Sequence, residues 1–224
     1  DPENARTGAG AFEGAIFGLV GLVIAFSFSG ALQRWDHRRE LMVQEVNAIG
    51  TAWLRIDLLP SDAQPLLREL FRRYVDSRLE SYGSIRDPAA GPVAFARSNA
   101  LQGEIWSAAV RACAGPELER TRILVLPALN EMIDVAGAQF MALQAHPPAE
   151  IYELLVALVL ASALMAGIAT AGARQRSWAH LVLFSLSMAV VLFVVIDLEY
   201  PRAGFIRIDA IDQALVELRH SMER

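Results

Sequence analysis

The residue types that most often perform chemistry are sparse in this chain and badly spaced for it. The four histidines, His37, His146, His180 and His220, stand alone. None lies three or four residues from another histidine or from the single cysteine, Cys113, so no helical metal-ligand pair is formed and no metal site is expected. One cysteine also rules out an intramolecular disulfide. There is no nucleophile elbow and no convincing carboxylate pair, and the "GAG" at 8–10 is too short to cradle a phosphate. No cofactor, catalytic residue or enzyme activity is expected. The chemistry left over is physical: ionisable groups at the ends of apolar runs. Glu13 precedes one such run and His180 sits inside another. Each reads as an interfacial residue, and Glu13 alternatively as a mouth carboxylate that would favour cations.

Those apolar runs dominate the chain. Residues 14–33, 154–173 and 177–196 contain no Asp, Glu, Lys or Arg. Each spans 20 positions, and at about 1.5 Å per helical residue each crosses a hydrocarbon core of about 30 Å. With 54% hydrophobic residues in a chain of 224, the pattern predicts a membrane protein. All 20 cations are arginine, a planar fork that stays charged when partly buried. The net charge of −5, with no clustered basic face, argues against nucleic acid as a partner.

The resulting order is a polar N-terminus (1–10), a membrane helix (11–33), a polar helical domain (34–149), a membrane helix (150–173), a link (174–177), a membrane helix (178–197) and a polar tail helix (198–224). Within the polar domain, Leu66, Leu67, Leu70, Phe71, Val75 and Leu79 form a helical apolar stripe. "RDPAAGP" reads as a loop, residues 95–113 and 117–145 as two further helices, and "HPP" at 146–148 as the re-entry to the membrane. Pro60 stops the first long helix, with Ser61 and Asp62 as caps for the next. No strand pattern or repeat appears. Arg34, Arg38, Arg39, Arg202 and Arg207 flank one side of the membrane runs, against Arg6, Arg174 and Arg176 on the other. The larger set predicts a cytoplasmic polar domain and an external link.

The first run carries Gly14, Gly18, Gly21, Ala25 and Ser29 on one face at about 100° per residue. Small residues there let a second helix approach closely in lipid. Beside them runs a line of Gly18, Leu22, Phe26, Ser29 and Gln33, apolar and then polar. It fits the lining of a pore between identical subunits, with an apolar constriction. It also fits plain helix packing. On residues alone, a pore and a membrane-anchored interaction module without conduction both remain open. At the far end "IDLEYPRAGFIRID" groups Asp197, Glu199 and Arg202, readable as an ion-paired turn or as a coupling site between the tail and the first helix.

Beyond these patterns, "FSFSGALQRWDHRREL" followed by "VNAIGTA" resembles the pore-helix block of bestrophins, with matches at Phe26, Ala31, Arg34, Trp35, Arg39, Leu41, Val46 and Asn47. Ser27, Ser29, Leu32 and Asp36 depart from it. "RR" at 38–39, "EVNAIGTAWLRIDLLP" at 45–60, "LNEMID" at 129–134, "HPP" and "IDLEYPRAGFIRID" extend the resemblance to the bacterial bestrophin-like family over most of the chain. The resemblance implies an all-α, bestrophin-like membrane fold, usually with one more membrane helix at the N-terminus. It implies a homopentamer in a bacterial inner membrane that passes small inorganic ions through an apolar neck into a cytoplasmic vestibule. Leu22 and Phe26 would be the neck, and Gly18, Ser29, Gln33 and Glu13 its lining or mouth. Arg34, Trp35, Arg39 and Asn47, with Asp197, Glu199 and Arg202, would brace or couple it. The departures at Ser27 and Ser29 sit near the pore mouth and leave the sign of the permeant ion open.

Overall fold

The structure is a computed structural model. It describes the backbone of residues 2–83, 90–171, 178–200, 205–206 and 209–223, with side chains at 12, 14–83, 92–168, 178–200, 205–206 and 212–223. Every regular element among the described residues is helical: α1 (Pro2–Arg55), α2 (Gln64–Gly83), α3 (Ala90–Ala112), α4 (Glu119–Gln144), α5 (Ala149–Ala171), α6 (Trp178–Glu199) and α7 (Asp209–Ser221). Three helical stretches, in α1, in the stretch ending within α5, and in α6, are long and apolar enough to cross a membrane. The link 174–177 lies outside the described residues.

α1 is unbroken for 54 residues, about 80 Å at the helical rise. Neither Gly nor Pro interrupts it between Leu32 and Asn47, so nothing forces a kink where the apolar run meets the charged one. A short 3-10 turn at Ile56–Leu58 and then Pro60 end it. The turn is closed by Ala63 N–H to Pro60 O at 3.0 Å, and Gln64 Nε2 donates to Leu59 O at 2.9 Å.

The expected loop at 86–92 is shorter than the sequence suggested, because α3 begins at Ala90 and takes in Pro92. A proline is accepted in a first helical turn, where its missing N–H would have had no acceptor.

The chain divides into two compact units, 1–35 with 146–200, and 36–145 with 201–224. In the first, the apolar part of α1 meets α6. Phe17 packs edge-on against Phe184, with centroids 5.7 Å apart. Ser162 and Ser187 turn their hydroxyls back to Val159 O and Leu183 O, each at 2.8 Å. This satisfies them where water is excluded. Most large apolar side chains of α5 and α6 remain exposed on the single chain.

The second unit has a conventional core. Ile49, Phe71, Tyr74, Val75, Ile105 and Met132 are wholly buried. Trp53 lies against Phe71 at 6.1 Å and under the Arg68 guanidinium at 4.7 Å. α7 is tied to α2 by Arg219 Nε to Asp76 Oδ1 at 2.7 Å and by Arg72 Nε to the Met222 carbonyl at 3.0 Å, over buried Leu215 and Met222.

Candidate functional site

The helical period splits α1 into a covered and an uncovered face. In the first unit, Val20 and Ala31 are buried, while Gly14, Gly18, Gly21, Leu22, Ala25, Phe26 and Ser29 are exposed. Leu22 is 53% and Phe26 69% exposed, values that no water-facing helix would favour for such side chains. A Cβ added to Gly14, Gly18 or Gly21 would meet nothing within 4 Å, so these three positions have no close neighbour among the described residues. At the polar end of the line, Gln33 Nε2 donates to Ser29 Oγ at 3.2 Å. The side chain of Glu13 lies outside the described residues.

In the second unit the same period buries Arg38, Leu41, Met42, Glu45, Ala48, Ile49 and Ala52, and exposes Asp36, Glu40, Val43, Gln44, Asn47 and Thr51. The uncovered line is therefore apolar through Phe26 and, apart from Val43, polar from Ser29 onward. Arg39 is exposed and lies off that line by the helical period.

Two arginines that the sequence placed near the exit of α1 are turned inward and used as anchors. In the first unit, Arg34 donates from Nε to Glu199 Oε1 at 2.8 Å and also from Nη2. Glu199 is only 1% exposed. A charge-assisted pair is what allows a carboxylate to be buried there. His146 Nδ1 stands 3.7 Å from Glu199 Oε2, and its ring stacks on Tyr200 at 5.2 Å. Asp197 is buried beside them in sequence, and Trp35 is half-buried. Arg202 lies outside the described residues. In the second unit, Arg38 donates to the Ala142 and Ala145 carbonyls at 3.0 and 2.9 Å, neutralising the C-terminal end of α4.

A further constellation escaped sequence reading. Arg78 donates to Glu45 Oε1 at 2.5 Å, to Oε2 at 3.2 Å, and to Gln139 Oε1 at 2.5 Å. The Tyr82 hydroxyl donates to Glu45 Oε2 and lies 2.7 Å from Gln139 Oε1. All four side chains are buried, joining α1, α2 and α4. Burial works against the Arg78 charge, but the Glu45 carboxylate outweighs it and lifts the guanidinium above its usual range. Burial, and then Glu45, push the Tyr82 and Tyr74 phenols well up. The partners of Arg78 are 33 and 61 residues away, and no local pattern connects them. The available signal was weak: Glu45 falls on the apolar face of α1.

Among the described residues, no group of three or more His, Cys, Asp or Glu side chains could hold a metal ion. Three helical stretches able to cross a membrane, with every regular element among the described residues helical, define an all-α membrane protein. The sequence matches the bestrophin-like domain over residues 7–211, and the chain belongs to that family. Solved structures agree on the fold. A bacterial bestrophin homologue from Klebsiella pneumoniae, in a form with one tryptophan changed to alanine, superposes with a TM-score of 0.74 at 16% identity, covering 95% of this chain and 85% of that one. The same homologue solved by zinc phasing gives 0.73 at 16% identity, covering 94% and 87%. A form of it with one isoleucine changed to threonine gives 0.69 at 17%, covering 95% and 87%. No curated protein sequence matches the chain. Family and fold together support an ion-channel-like function.

Proposed function

We propose that the chain is one subunit of a homopentameric channel that passes small inorganic ions passively across a bacterial inner membrane, its polar unit in the cytoplasm. The observation that carries this is the uncovered face of α1. It is unbroken, closely approachable at Gly14, Gly18 and Gly21, apolar at Leu22 and Phe26, and polar from Ser29 to Thr51 apart from Val43. Five such faces around an axis would give an apolar neck at Leu22 and Phe26 leading into a polar vestibule. A dry ring of this kind resists ion entry until it widens or wets. Gly18, Ser29 and Gln33, with Glu13 at the mouth, would line it. Arg34 with Glu199, and Arg38 with the end of α4, would hold α1 in place from behind.

The test is ion flux in vesicles reconstituted with the purified protein, with chloride and then potassium or sodium as the permeant ion. Flux above empty vesicles is expected, and the two ions together give the charge preference. A verified pentamer that passes neither ion, even after Leu22→Ala and Phe26→Ala, would replace the channel by a membrane-anchored interaction module.

A further inference from the structure

The second half of α1 is not buried where its apolar residues alone would put it. By the helical period, the large apolar residues from Leu41 to Leu54 centre roughly a quarter of a turn away from Glu45. Apolar burial is non-directional and would favour covering that side. Yet Val43 is 45% and Leu54 68% exposed, while Glu45 occupies the middle of the covered arc. Leu41 and Ala52 flank it on one side, Arg38 and Ile49 on the other. What holds this rotation is polar. Arg78 of α2 grips both Glu45 oxygens, at 2.5 and 3.2 Å, and the Tyr82 hydroxyl bonds the same carboxylate. Gln139 of α4 accepts from Arg78. Its Nε2 is buried with no acceptor among the described residues. Turning the amide over would set two donors face to face at Arg78, so only the carbonyl can serve there.

We infer that Glu45 is a positioning residue: locked by Arg78, Tyr82 and Gln139, it sets the rotation of the second half of α1 and so decides which of its side chains face the ion pathway. Charge-assisted bonds are directional, and a buried pair resists any turn that would part it. A point on α1 held at once from α2 and α4 can neither turn nor slide. Asp36, nine residues before Glu45, and Asn47, two after it, then fall about opposite the lock at about 100° per residue. Without the lock, α1 turns toward its apolar centre, which covers Val43 and Val46 and brings Ala48 outward. The lock secures register more than stability, because well-packed apolar residues of similar volume replace a buried ion pair with little or no loss. Its bearing on the ion pathway rests on the channel reading; the rotation of α1 does not.

The experiment measures labelling of single thiols by a water-soluble maleimide in the purified protein, with Cys113→Ala removing the native thiol. With the lock intact, Val43→Cys should react about tenfold faster than Ala48→Cys, because only Ala48 is buried. Equal labelling there overturns the inference. The lock is then removed by Glu45→Leu, Arg78→Met, Tyr82→Phe and Gln139→Leu together. The ratio should fall to about one or below, with an unfolding midpoint no lower than before. Ala109→Cys, at a buried position of α3 outside the lock, should stay protected. A folded lock-free protein that keeps the native ratio overturns the inference, and so does one in which Ala109→Cys opens as far as Ala48→Cys, since that is general loosening. If the lock-free protein does not fold, Gln139→Met removes the α4 arm alone. A ratio about threefold lower then supports the lock, and an unchanged one overturns it. In vesicles, loss of register should change the cation-to-chloride flux ratio about twofold as Asp36 and Glu40 turn from the uncovered line. An unchanged flux ratio overturns the bearing on the pathway. A fallen labelling ratio in a protein that conducts in neither form removes the channel reading and leaves the lock standing.

Discussion

The two halves of α1 are built by one helical period but answer to two surroundings. In the half that belongs to the first unit, the covered face holds small and apolar residues such as Val20 and Ala31, and the uncovered face is apolar too as far as Phe26. In the half that belongs to the second unit, the covered face carries a charged residue, Glu45, buried to 1%, and the uncovered face is polar. This inverts the usual rule only in appearance. The surroundings of a membrane-spanning stretch are apolar, so Leu22 and Phe26 are tolerated uncovered there, whereas water demands Asp36, Glu40 and Asn47. The buried carboxylate is possible only because Arg78, Tyr82 and Gln139 converge on it.

That contrast is broken most severely from the second half. Arg78→Met leaves Glu45 buried without its cation and is expected to cost about 3–5 kcal/mol, read as a fall in the midpoint of chemical or thermal unfolding. Tyr74 and Tyr82 sharpen the same point at high pH. Both phenols are held neutral by burial, with folded values raised above the unfolded one near 10. Stability is therefore full below about pH 10 and falls as pH rises above it, because the unfolded chain sheds protons that the folded chain keeps. Tyr82→Phe should flatten part of that alkaline loss, measured as unfolding midpoint against pH.

In the first half the expected effects fall on assembly and flux. Gly21→Leu puts a bulky side chain on the bare face and should shift the purified protein from the proposed pentamer to smaller species, seen by mass measurement in detergent, with a loss of about 1–2 kcal/mol in association. Phe26→Ala should raise flux about tenfold, about 1.4 kcal/mol off the barrier. Unchanged flux in a conducting protein would make Phe26 a packing residue. The smallest effect belongs to the exposed acids past the exit. Asp36→Asn with Glu40→Gln should lower cation relative to chloride flux about twofold, as screened surface charges allow.

Much of the fold was legible without coordinates. The three apolar runs, the unbroken passage from Leu32 to Asn47 and the stop at Pro60 are written in local composition, and the helices follow them closely. The uncovered line Gly18, Leu22, Phe26, Ser29 and Gln33 follows from the helical period alone. The start of α3 was misjudged because Pro92 reads as a breaker, although a first turn accommodates it. The partners of the buried charges were not legible, beyond the expectation that Arg34 and Glu199 brace or couple the first helix.

The physical reason separates the two kinds of information. Whether a segment prefers lipid, and whether it winds into an unbroken helix, are sums over neighbouring residues, so local composition was enough to make this chain an all-helical membrane protein with one long transitional helix. Which carboxylate meets which arginine depends on groups brought together by helix packing. Arg34 meets Glu199 across 165 residues, and Arg78 meets Glu45 and Gln139 across 33 and 61. Packing alone makes these arginines, which the sequence sets beside the membrane exit and on an amphipathic helix, into anchors, Arg78 buried and Arg34 half-buried.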